Sequence, residues 1–484
     1  MNAPIRRIST LVAALFVSLL VSTTLIQFVE AKSLNARADN RRTLLSTYGR
    51  QRGQILVGDT VIATSVPTKD QYKWQRVYPK GPQYAHVTGY YSFFGAAGGL
   101  ESAEQSLLSG SSDKLFYRRV SDLFTGRKAE GASLELTIDP GVQAAAEKGL
   151  GKQRGAAVAI DPRTGAILAL VSNPAYDPNT LASHNLGAVV KASAKLNSDA
   201  TQPLVDRAIA GDLYPPGSTF KLVTAAAALS SGRFSPQSEI PGPAVLDLPQ
   251  TSVGLPNDFR APCGPNNKTT LAHALTISCN TAFGWLGMNL GADAMRSQAA
   301  KFGIGDEVSI PMRVTPSQFP SDPGPPQLAQ SAIGQFDVRV TPLQMAMISA
   351  GIANHGTVMT PYLVQSVLGS DLQVIDNAQP VQLSDAISPE VAAQLTQMME
   401  SVVESGTGTA AQIPGVKVAG KTGTAQHGAN VAPHAWFTSF APADNATIAV
   451  AVVVEDGGSV GNEAVGGRVA APIARAMMEA RLKS

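Results

Sequence analysis

The sequence predicts an α+β protein with one apolar helix at its N-terminus, a small module after it, and one large domain. Three observations support this prediction. An uncharged, mostly apolar run extends from Leu11 to Val29. Strand-like segments lie within residues 134–171 and again within residues 416–454, and the stretch between them is rich in helix formers and loops. Strands at both ends of a helical middle indicate one α+β domain whose two ends share a sheet.

Length and composition narrow the possibilities further. The chain has 484 residues, which is too long for one compact domain. Charged residues make up 15% and apolar residues 44%, so a substantial core is expected, and the net charge of +2 gives no reason to expect nucleic-acid binding. The predicted divisions are a cytoplasmic tail (1–10), a transmembrane anchor (11–29), an N-terminal non-catalytic module (32–150) and the main domain (151–484).

The apolar run is long enough to cross a bilayer. Nineteen residues at about 1.5 Å each span roughly 28 Å, about the thickness of the hydrocarbon layer. Arg6 and Arg7 precede the run and should stay in the cytoplasm, which places the rest of the chain outside the membrane. The alternative is a cleaved signal peptide, but Val29-Glu30-Ala31 is a poor cleavage site and the run is longer than the usual signal core.

Two cysteines, Cys263 and Cys279, are present. In an exported protein such a pair can be oxidised, and the bridge would stabilise the fold by roughly 3 kcal/mol in the chain-entropy model. The alternative is two independent buried thiols, and the sequence does not decide between them.

A candidate nucleophile lies at the start of a predicted helix. The turn Tyr214–Gly217 precedes Ser218-Thr219-Phe220-Lys221, and a run rich in Ala and Leu follows to Ala228. Unpaired backbone N–H groups and the positive end of the helix dipole favour negative charge at Ser218. Lys221 lies about one turn further on, and a desolvated lysine can accept the proton of a serine hydroxyl.

The spacing Ser-x-x-Lys alone is weak evidence. It also occurs at Ser111–Lys114, in a polar stretch, where we interpret it as a chance match. Two further motifs follow Ser218 in order, namely Ser278-Cys279-Asn280 and Lys421-Thr422-Gly423-Thr424. Together, with the first motif opening a helix and the third on a strand, the three are a specific combination known from serine acyl-transfer enzymes.

The residue types fit that chemistry. Ser218 attacks a carbonyl carbon and Lys221 takes its proton. Ser278 can relay a proton to the leaving amine, and Asn280 can bind the substrate amide or orient Lys221. Lys421 supplies fixed positive charge.

The third motif supplies the binding surface. The hydroxyl groups of Thr422 and Thr424 can bind a carboxylate, and the strand edge that includes Gly423 can pair with an extended peptide. Backbone N–H groups of Ser218 and Thr424 can form an oxyanion hole.

The chain resembles class B penicillin-binding proteins, most closely the penicillin-binding protein A subgroup. The resemblance covers nearly the whole chain. Its segments are Arg52-Gly53, Leu136–Asp139 with Gln143, Asp161–Ser172 with Tyr176–Asn179, Pro216–Lys221, Thr341–Gln344 and Trp436-Phe437. It implies a penicillin-binding, serine β-lactamase-like transpeptidase domain, with an antiparallel sheet, packed helices and a helical subdomain.

The resemblance also implies a function. It predicts a peptidoglycan D,D-transpeptidase that acylates Ser218 with a stem peptide ending in D-Ala-D-Ala, releases D-alanine, and transfers the acyl group to a neighbouring amine. β-Lactams would acylate Ser218 as substrate mimics. The implied setting is the plasma membrane, with an extracytoplasmic catalytic domain in a cell-wall synthesis or division complex, and with no metal or cofactor.

The sequence departs from the family pattern at one loop, and several other classes of protein have to be weighed against the transpeptidase. Many relatives have Gly-Gln-Gly where this chain has Gly334-Gln335-Phe336, which leaves that loop's conformation open. A class A β-lactamase is disfavoured because no Glu-x-x-Leu-Asn pattern is present. A histidine-dependent hydrolase is disfavoured because the histidines are scattered. His427 and His434 are expected to have a solvent or substrate-rim role, not a catalytic one. A D,D-carboxypeptidase and a non-catalytic β-lactam sensor or scaffold are the remaining rivals.

Overall fold

The computed structural model describes residues 2–30, 33–34, 48–115, 130–428, 431–461 and 465–483. Its α-helices are α1 (Asn2–Thr24), α2 (Ala85–Thr88), α3 (Gly99–Ala103), α4 (Gln105–Leu108), α5 (Pro140–Leu150), α6 (Asn179–Ala182), α7 (Leu186–Ser198), α8 (Lys221–Ser230), α9 (Leu271–Thr276), α10 (Asn280–Leu290), α11 (Ala292–Lys301), α12 (Pro325–Ser331), α13 (Pro342–Ala353), α14 (Pro389–Glu404) and α15 (Gly466–Leu482).

The strands are short and spread over the chain. They are β1 (Ile55–Val57), β2 (Thr60–Pro67), β3 (Trp74–Val77), β4 (Tyr90–Ser92), β5 (Gly95–Ala97), β6 (Ser133–Leu136), β7 (Gly155–Ile160), β8 (Ile167–Asn173), β9 (Glu239–Pro241), β10 (Val245–Leu246), β11 (Leu255–Pro256), β12 (Lys268–Thr270), β13 (Thr357–Met359), β14 (Val364–Leu368), β15 (Val374–Asn377), β16 (Gln382–Asp385), β17 (Ala419–Ala425), β18 (His434–Ala441) and β19 (Ile448–Val454).

The N-terminal helix matches the predicted apolar segment. α1 continues into a π-helical turn at Leu25–Val29, and the stretch Ala3–Val29 is apolar enough and long enough to cross a membrane. The helix already begins at Asn2, so the predicted cytoplasmic tail is helical as well.

The first sheet combines strands from distant parts of the chain. In the described residues its order is β15-β14-β6-β1-β2-β3, with β1 and β6 parallel and the other pairs antiparallel. The apolar segments Gln54–Val57 and Val61–Thr64 predict short strands, and β1 and β2 confirm them. Because β14 and β15 come from beyond residue 360, strands from both sides of residue 150 share this sheet, and the domain boundary there stays a prediction.

A buried ion network anchors the small module. Arg52 and Arg76 both donate to the carboxylate of Glu101, with Arg52 Nε 3.0 Å from Glu101 Oε2. All three side chains are almost fully buried. Two cations facing one buried carboxylate make this cluster sensitive to loss of any member.

The main sheet joins the two ends of the large domain. Its order in the described residues is β17-β18-β19-β7-β8, and every pair is antiparallel. The turn Asp161–Gly165 between two apolar runs predicts a β-hairpin, and β7 and β8 confirm it. The predicted sharing of a sheet by both ends is confirmed by the β7–β19 pair. The strand expected from Val416 begins only at Ala419.

Helices cover both faces of this sheet. α13 packs on one face, and α5 and α15 pack on the other. Every residue of β19 is buried, because both of its faces are covered. α13 is apolar all round and is buried from Pro342 to Ile352, as expected for a core helix. The Thr341 hydroxyl caps it by accepting from Gln344 N at 3.0 Å, and α15 runs through Pro472 without a break.

A helical region beside the sheet carries the second motif. α8 packs against α10, α11 and α14. The sequence predicts one helix from Thr270 to about Leu290, and this prediction is wrong, since α9 ends at Thr276 and α10 begins at Asn280. The break occurs at Ser278, whose φ of 62° is left-handed and incompatible with a continuous helix.

Candidate active site

The first motif sits in a tight turn pressed against β17. A 3₁₀ turn, Gly217–Phe220, leads directly into α8, so Ser218 lies where backbone N–H groups have no helical partner. Gly217 has a φ of +54°, and a Cβ there would lie 2.6 Å from Thr424 O, so only glycine allows this approach. The indole of Trp436 donates to Pro215 O at 3.1 Å and holds the turn on β18.

Lys221 is buried and fully engaged by the second motif. Its Nζ donates to Ser278 O at 2.7 Å, to Ser278 Oγ at 3.2 Å and to Asn280 Oδ1 at 2.7 Å. Burial lowers its pKa well below the ordinary value for lysine, and the positive charge of Lys421 lowers it further. A lysine with a depressed pKa can be neutral near pH 7 and so can accept a proton.

Ser278 lies between the two lysines. Lys421 Nζ donates to Ser278 Oγ at 2.9 Å and to Thr422 O at 2.8 Å. Burial lowers the pKa of Lys421 to about 7. The left-handed backbone of Ser278 therefore directs one hydroxyl toward two amines that come from α8 and β17.

Ser218 is buried but lines two openings. A cleft of about 720 Å³ is lined by Ser218, Asn280 and Thr424, among others. A second cavity of about 420 Å³ is lined by Ser218, Ser278, Thr422, Gly423 and Thr424, among others. Within the described residues, Ser218 Oγ makes no hydrogen bond, and its hydroxyl is open to an incoming carbonyl. The structure thus brings every predicted catalytic and binding residue to one place.

The strand that carries the third motif is an edge strand. In the described part of the chain β17 pairs only with β18, so its other edge faces the cleft. The Thr422 hydroxyl is 2.6 Å from that of Thr407. Thr407 also lines the smaller cavity. Sequence reasoning missed Thr407, because nothing in a Gly/Thr turn distinguishes it from an ordinary loop.

A disulfide and an asparagine hold the second motif. Cys263 and Cys279 are joined by a disulfide across 16 residues. Asn257 Oδ1 accepts from the backbone N–H groups of Asn280 at 2.9 Å and of Thr281 at 3.0 Å, and so caps α10 from a neighbouring loop. Its own amide donates to Ala261 O at 2.9 Å. Sequence reasoning also missed Asn257, since a cap supplied from another loop has no characteristic spacing.

The loop that departs from its relatives lies behind the nucleophile. Gly334 O accepts from Gly217 N at 2.9 Å, which ties this loop to the turn before Ser218. Phe336 occupies the third position with a φ of 57°. A left-handed conformation costs a residue with a side chain about 1–2 kcal/mol. Phe336 is 39% exposed and lines the larger cleft.

Two histidines pack together beside Asp456. The rings of His427 and His434 stack with centroids 3.7 Å apart and planes within 10°. His427 Nε2 is 3.0 Å from Asp456 Oδ1, and Asp456 N donates to His434 Nδ1 at 3.2 Å. Burial lowers the pKa of His434 to about 4. One ligand atom from each of these three residues lies within 4.8 Å of the others, but nitrogen lone pairs lie in the ring planes, and two nearly parallel planes do not aim them at one point. The rim role of these histidines stays a prediction.

The fold and the site together define a serine acyl-transfer enzyme. Comparison with known proteins identifies its family. The family described as "Penicillin binding protein transpeptidase domain" matches residues 155–479, and the "Penicillin binding protein A dimerisation domain" matches residues 52–134. The chain belongs to the penicillin-binding protein transpeptidase family.

Individual relatives agree over the full length. The chain is 45% identical over 492 aligned positions to the peptidoglycan D,D-transpeptidase PbpA of Mycolicibacterium smegmatis, covering 100% of this chain and 99% of that protein. PbpA of Mycobacterium tuberculosis gives the same identity and coverage. The ceftriaxone acyl-enzyme structure of M. tuberculosis penicillin-binding protein A superposes with a TM-score of 0.87 at 44% identity, covering 90% of this chain and 100% of that one.

Proposed function

We propose that this chain is a peptidoglycan D,D-transpeptidase that cross-links stem peptides through an acyl-enzyme on Ser218. The observation that carries the proposal is the convergence at Ser278. Its hydroxyl lies 3.2 Å from Lys221 Nζ and 2.9 Å from Lys421 Nζ, beside a nucleophile that opens a helix. One amine with a depressed pKa and a second amine at an open strand edge meet the needs of acyl transfer.

In the acylation step, Ser218 Oγ attacks the carbonyl carbon between the last two residues of a donor stem peptide. Lys221 removes the hydroxyl proton as the C–O bond forms. The tetrahedral oxyanion is stabilised by backbone N–H groups of Ser218 and Thr424, each of which is worth about 3 kcal/mol of barrier. The C–N bond then breaks, the proton passes through Ser278 to the amine, and D-alanine leaves.

In the transfer step, an amine from a neighbouring stem peptide attacks the ester carbon. The amine gives up a proton to Lys221 or Ser278, the new amide bond forms, and the C–O bond to Ser218 breaks. The hydroxyl of Ser218 regains its proton. No atom is left over, and no cofactor is needed to balance the reaction.

β17 gives the donor peptide a place to bind. An extended chain can pair with the open edge of this strand, since a strand edge presents free N–H and C=O groups at regular intervals. Lys421 and the hydroxyls of Thr422 and Thr424 would hold the terminal carboxylate of the donor. A β-lactam carries a carboxylate and a reactive amide at comparable positions, and the M. tuberculosis relative forms acyl-enzymes with ceftriaxone and penicillin G.

The N-terminal segment and the disulfide support an extracytoplasmic place of action. Ala3–Val29 can span a membrane, and Arg6 and Arg7 favour a cytoplasmic N-terminus. Disulfides persist in oxidising compartments, so the Cys263–Cys279 bridge supports an extracytoplasmic catalytic domain. Membership of a cell-wall synthesis or division complex is part of the same proposal.

Two assays on the full-length protein test the function. Labelling with a fluorescent penicillin should modify the wild type and the variant Ser111→Ala, which changes the other Ser-x-x-Lys, but not Ser218→Ala. Unlabelled wild type, or labelled Ser218→Ala, would refute Ser218 as the nucleophile. With lipid-linked precursor and an acceptor amine, cross-linked product is expected. Tetrapeptide as the sole product would instead identify a carboxypeptidase, and acylation without turnover would identify a sensor or scaffold.

A further inference from the structure

One carboxylate stands at the mouth of the site without belonging to any of the three motifs. Asp258 follows β11, and its side chain is exposed. It lines both the larger cleft and the smaller cavity, alongside Ser218 in each case. Among the described residues that line these two openings, Asp258 is the one acidic side chain, and Arg260 on the same loop is the basic residue at the larger cleft.

Asp258 contacts the amide that holds Lys221. Its Oδ1 accepts from Asn280 Nδ2 at 3.0 Å, and Pro256 O accepts from the same nitrogen at 3.3 Å. The other end of that amide, Oδ1, accepts from Lys221 Nζ at 2.7 Å. A carboxylate can only accept hydrogen bonds, so Asp258 fixes which end of the Asn280 amide faces the lysine. If the amide were reversed, the NH₂ group of Asn280 would face the amino group of Lys221, and two donors would be opposed.

Asp258 also places negative charge opposite two amines. Lys221 on α8 faces Asp258, Lys421 on β17 and the ring of Phe283 on α10, whose centroid is 5.6 Å from Lys221 Nζ. Lys421 faces Asp258 together with the neutral hydroxyls of Ser278 and Thr422. Burial lowers the pKa of each lysine, and the charge of Asp258 acts in the opposite direction on both.

We propose that Asp258 is a positioning residue of the acylation step. Its carboxylate fixes the Asn280 amide against Lys221 and supplies the negative charge that the two active-site lysines share. This inference rests on the function proposed above, in which Lys221 must be neutral to accept a proton and Lys421 must be charged to hold a carboxylate. Asp258 therefore affects both limbs of the pH dependence without touching the reacting carbonyl.

The sign of the effect follows from the charge. Removing the negative charge lowers the pKa of Lys221, so this base is neutral at a lower pH and the acid limb of the acylation rate moves to lower pH. The same change lowers the pKa of Lys421, so its charge disappears earlier and the alkaline limb also moves to lower pH. A variant that merely loosened the loop would lower the rate at every pH and move neither limb.

The test measures the second-order rate constant for acylation by a fluorescent penicillin from pH 5 to pH 10 on the full-length protein. Asp258→Asn keeps the size of the side chain and an acceptor oxygen but removes the charge, and both limbs should move to lower pH. Asp258→Ala should show the same displacement and, because Asn280 loses its partner, a fall of about tenfold at the optimum. Asp247→Asn, at an exposed aspartate in the connection between β10 and β11, should match the wild type.

The outcomes are separable. Profiles of Asp258→Asn and Asp258→Ala that superimpose on the wild type would overturn the proposal, and so would a uniform loss with both limbs in place. Failure to label the wild type at Ser218 would instead overturn the proposed function. Thermal unfolding of each variant shows whether it folds, and the isosteric Asp258→Asn remains informative if Asp258→Ala does not.

Discussion

The hydroxyl of Ser278 offers a sharp test of how the site is built, because it joins the two active-site lysines. The variant Ser278→Ala removes the oxygen that accepts from Lys421 Nζ at 2.9 Å and from Lys221 Nζ at 3.2 Å. Lys421 Nζ still donates to Thr422 O at 2.8 Å, and Lys221 Nζ still donates to Ser278 O and Asn280 Oδ1, both at 2.7 Å. A hydrogen bond to a charged group contributes about 1.5–3 kcal/mol.

The Ser278 hydroxyl accepts from two charged amines in the transition state, because Lys421 is already charged and Lys221 gains the proton of Ser218 as the C–O bond forms. Removing this hydroxyl raises the acylation barrier by up to about 3 kcal/mol, which corresponds to a decrease in rate of roughly 100-fold. The proposed relay of the proton to the leaving amine would be abolished as well. Cross-linking should therefore fall by at least as much as acylation by a β-lactam, whose amine stays attached to the acyl group.

Backbone strain is a competing explanation, and the chain allows a matched control. Ser278 has a φ of 62°, a conformation that glycine adopts without steric cost. Ser278→Gly removes the same hydroxyl and relieves the strain, so it should lose activity as severely as Ser278→Ala while unfolding at an equal or higher temperature. Ser183→Ala, in the unrelated Ser-His-Asn segment, should behave as the wild type.

The assay is stopped-flow or gel-based labelling with a fluorescent penicillin, combined with product analysis on lipid-linked precursor. If Ser278→Gly retained nearly full activity, the hydroxyl would be dispensable and only the backbone shape would matter. Acylation of Ser278→Ala within about threefold of the wild type would refute the reasoning altogether.

Three further predictions concern the pH dependence, the disulfide and the small module. The pKa of Lys421 is about 7, and its charged form is the one that binds a carboxylate, so the wild-type acylation rate should fall as the pH rises above about 7. The variant Lys421→Arg stays charged and should flatten this alkaline limb. A wild-type rate that is constant from neutral to alkaline pH would contradict the assignment. Replacing Cys263 and Cys279 by serine should lower the free energy of unfolding in urea by about 3 kcal/mol, since the bridge closes a loop of 16 residues. Two free thiols in a mass spectrum of the unreduced protein would show that no bridge exists. Glu101→Gln should lower the free energy of unfolding by about 3–5 kcal/mol, because Arg52 and Arg76 would then be buried without a counter-charge. The control Glu239→Gln, at an exposed pair with Lys268, should lower it by less than about 1 kcal/mol.

The loop Gly334-Gln335-Phe336 is the place where this chain departs from the family pattern. Phe336 stands where the family resemblance implies glycine, and its backbone is left-handed, a conformation that glycine adopts readily. A residue with a side chain is strained in this conformation, and the aromatic ring of Phe336 lines the larger cleft. Replacing glycine by phenylalanine at this position therefore changes the surface of the cleft rather than the path of the backbone.

Several features could be read from the sequence alone, because they depend on short-range patterns. Ser218 could be placed at a helix start by the Pro-Pro-Gly turn and the alanine run, and the β7–β8 hairpin by its Asp-Pro-x-x-Gly turn. The apolar N-terminal segment follows from length and hydropathy. The three motifs, taken in order, predicted one shared site.

The tertiary structure decided what no spacing encodes. The sequence reads as one helix across residues 270–290, but the left-handed backbone of Ser278 separates α9 from α10, and the Ser278 hydroxyl there contacts both lysines. Asn257 and Asp258 reach Asn280 across a gap in sequence of more than twenty residues, and Thr407 reaches Thr422. The low pKa of Lys221 and of Lys421 arises from burial, which depends on how distant elements pack and not on the residues beside them.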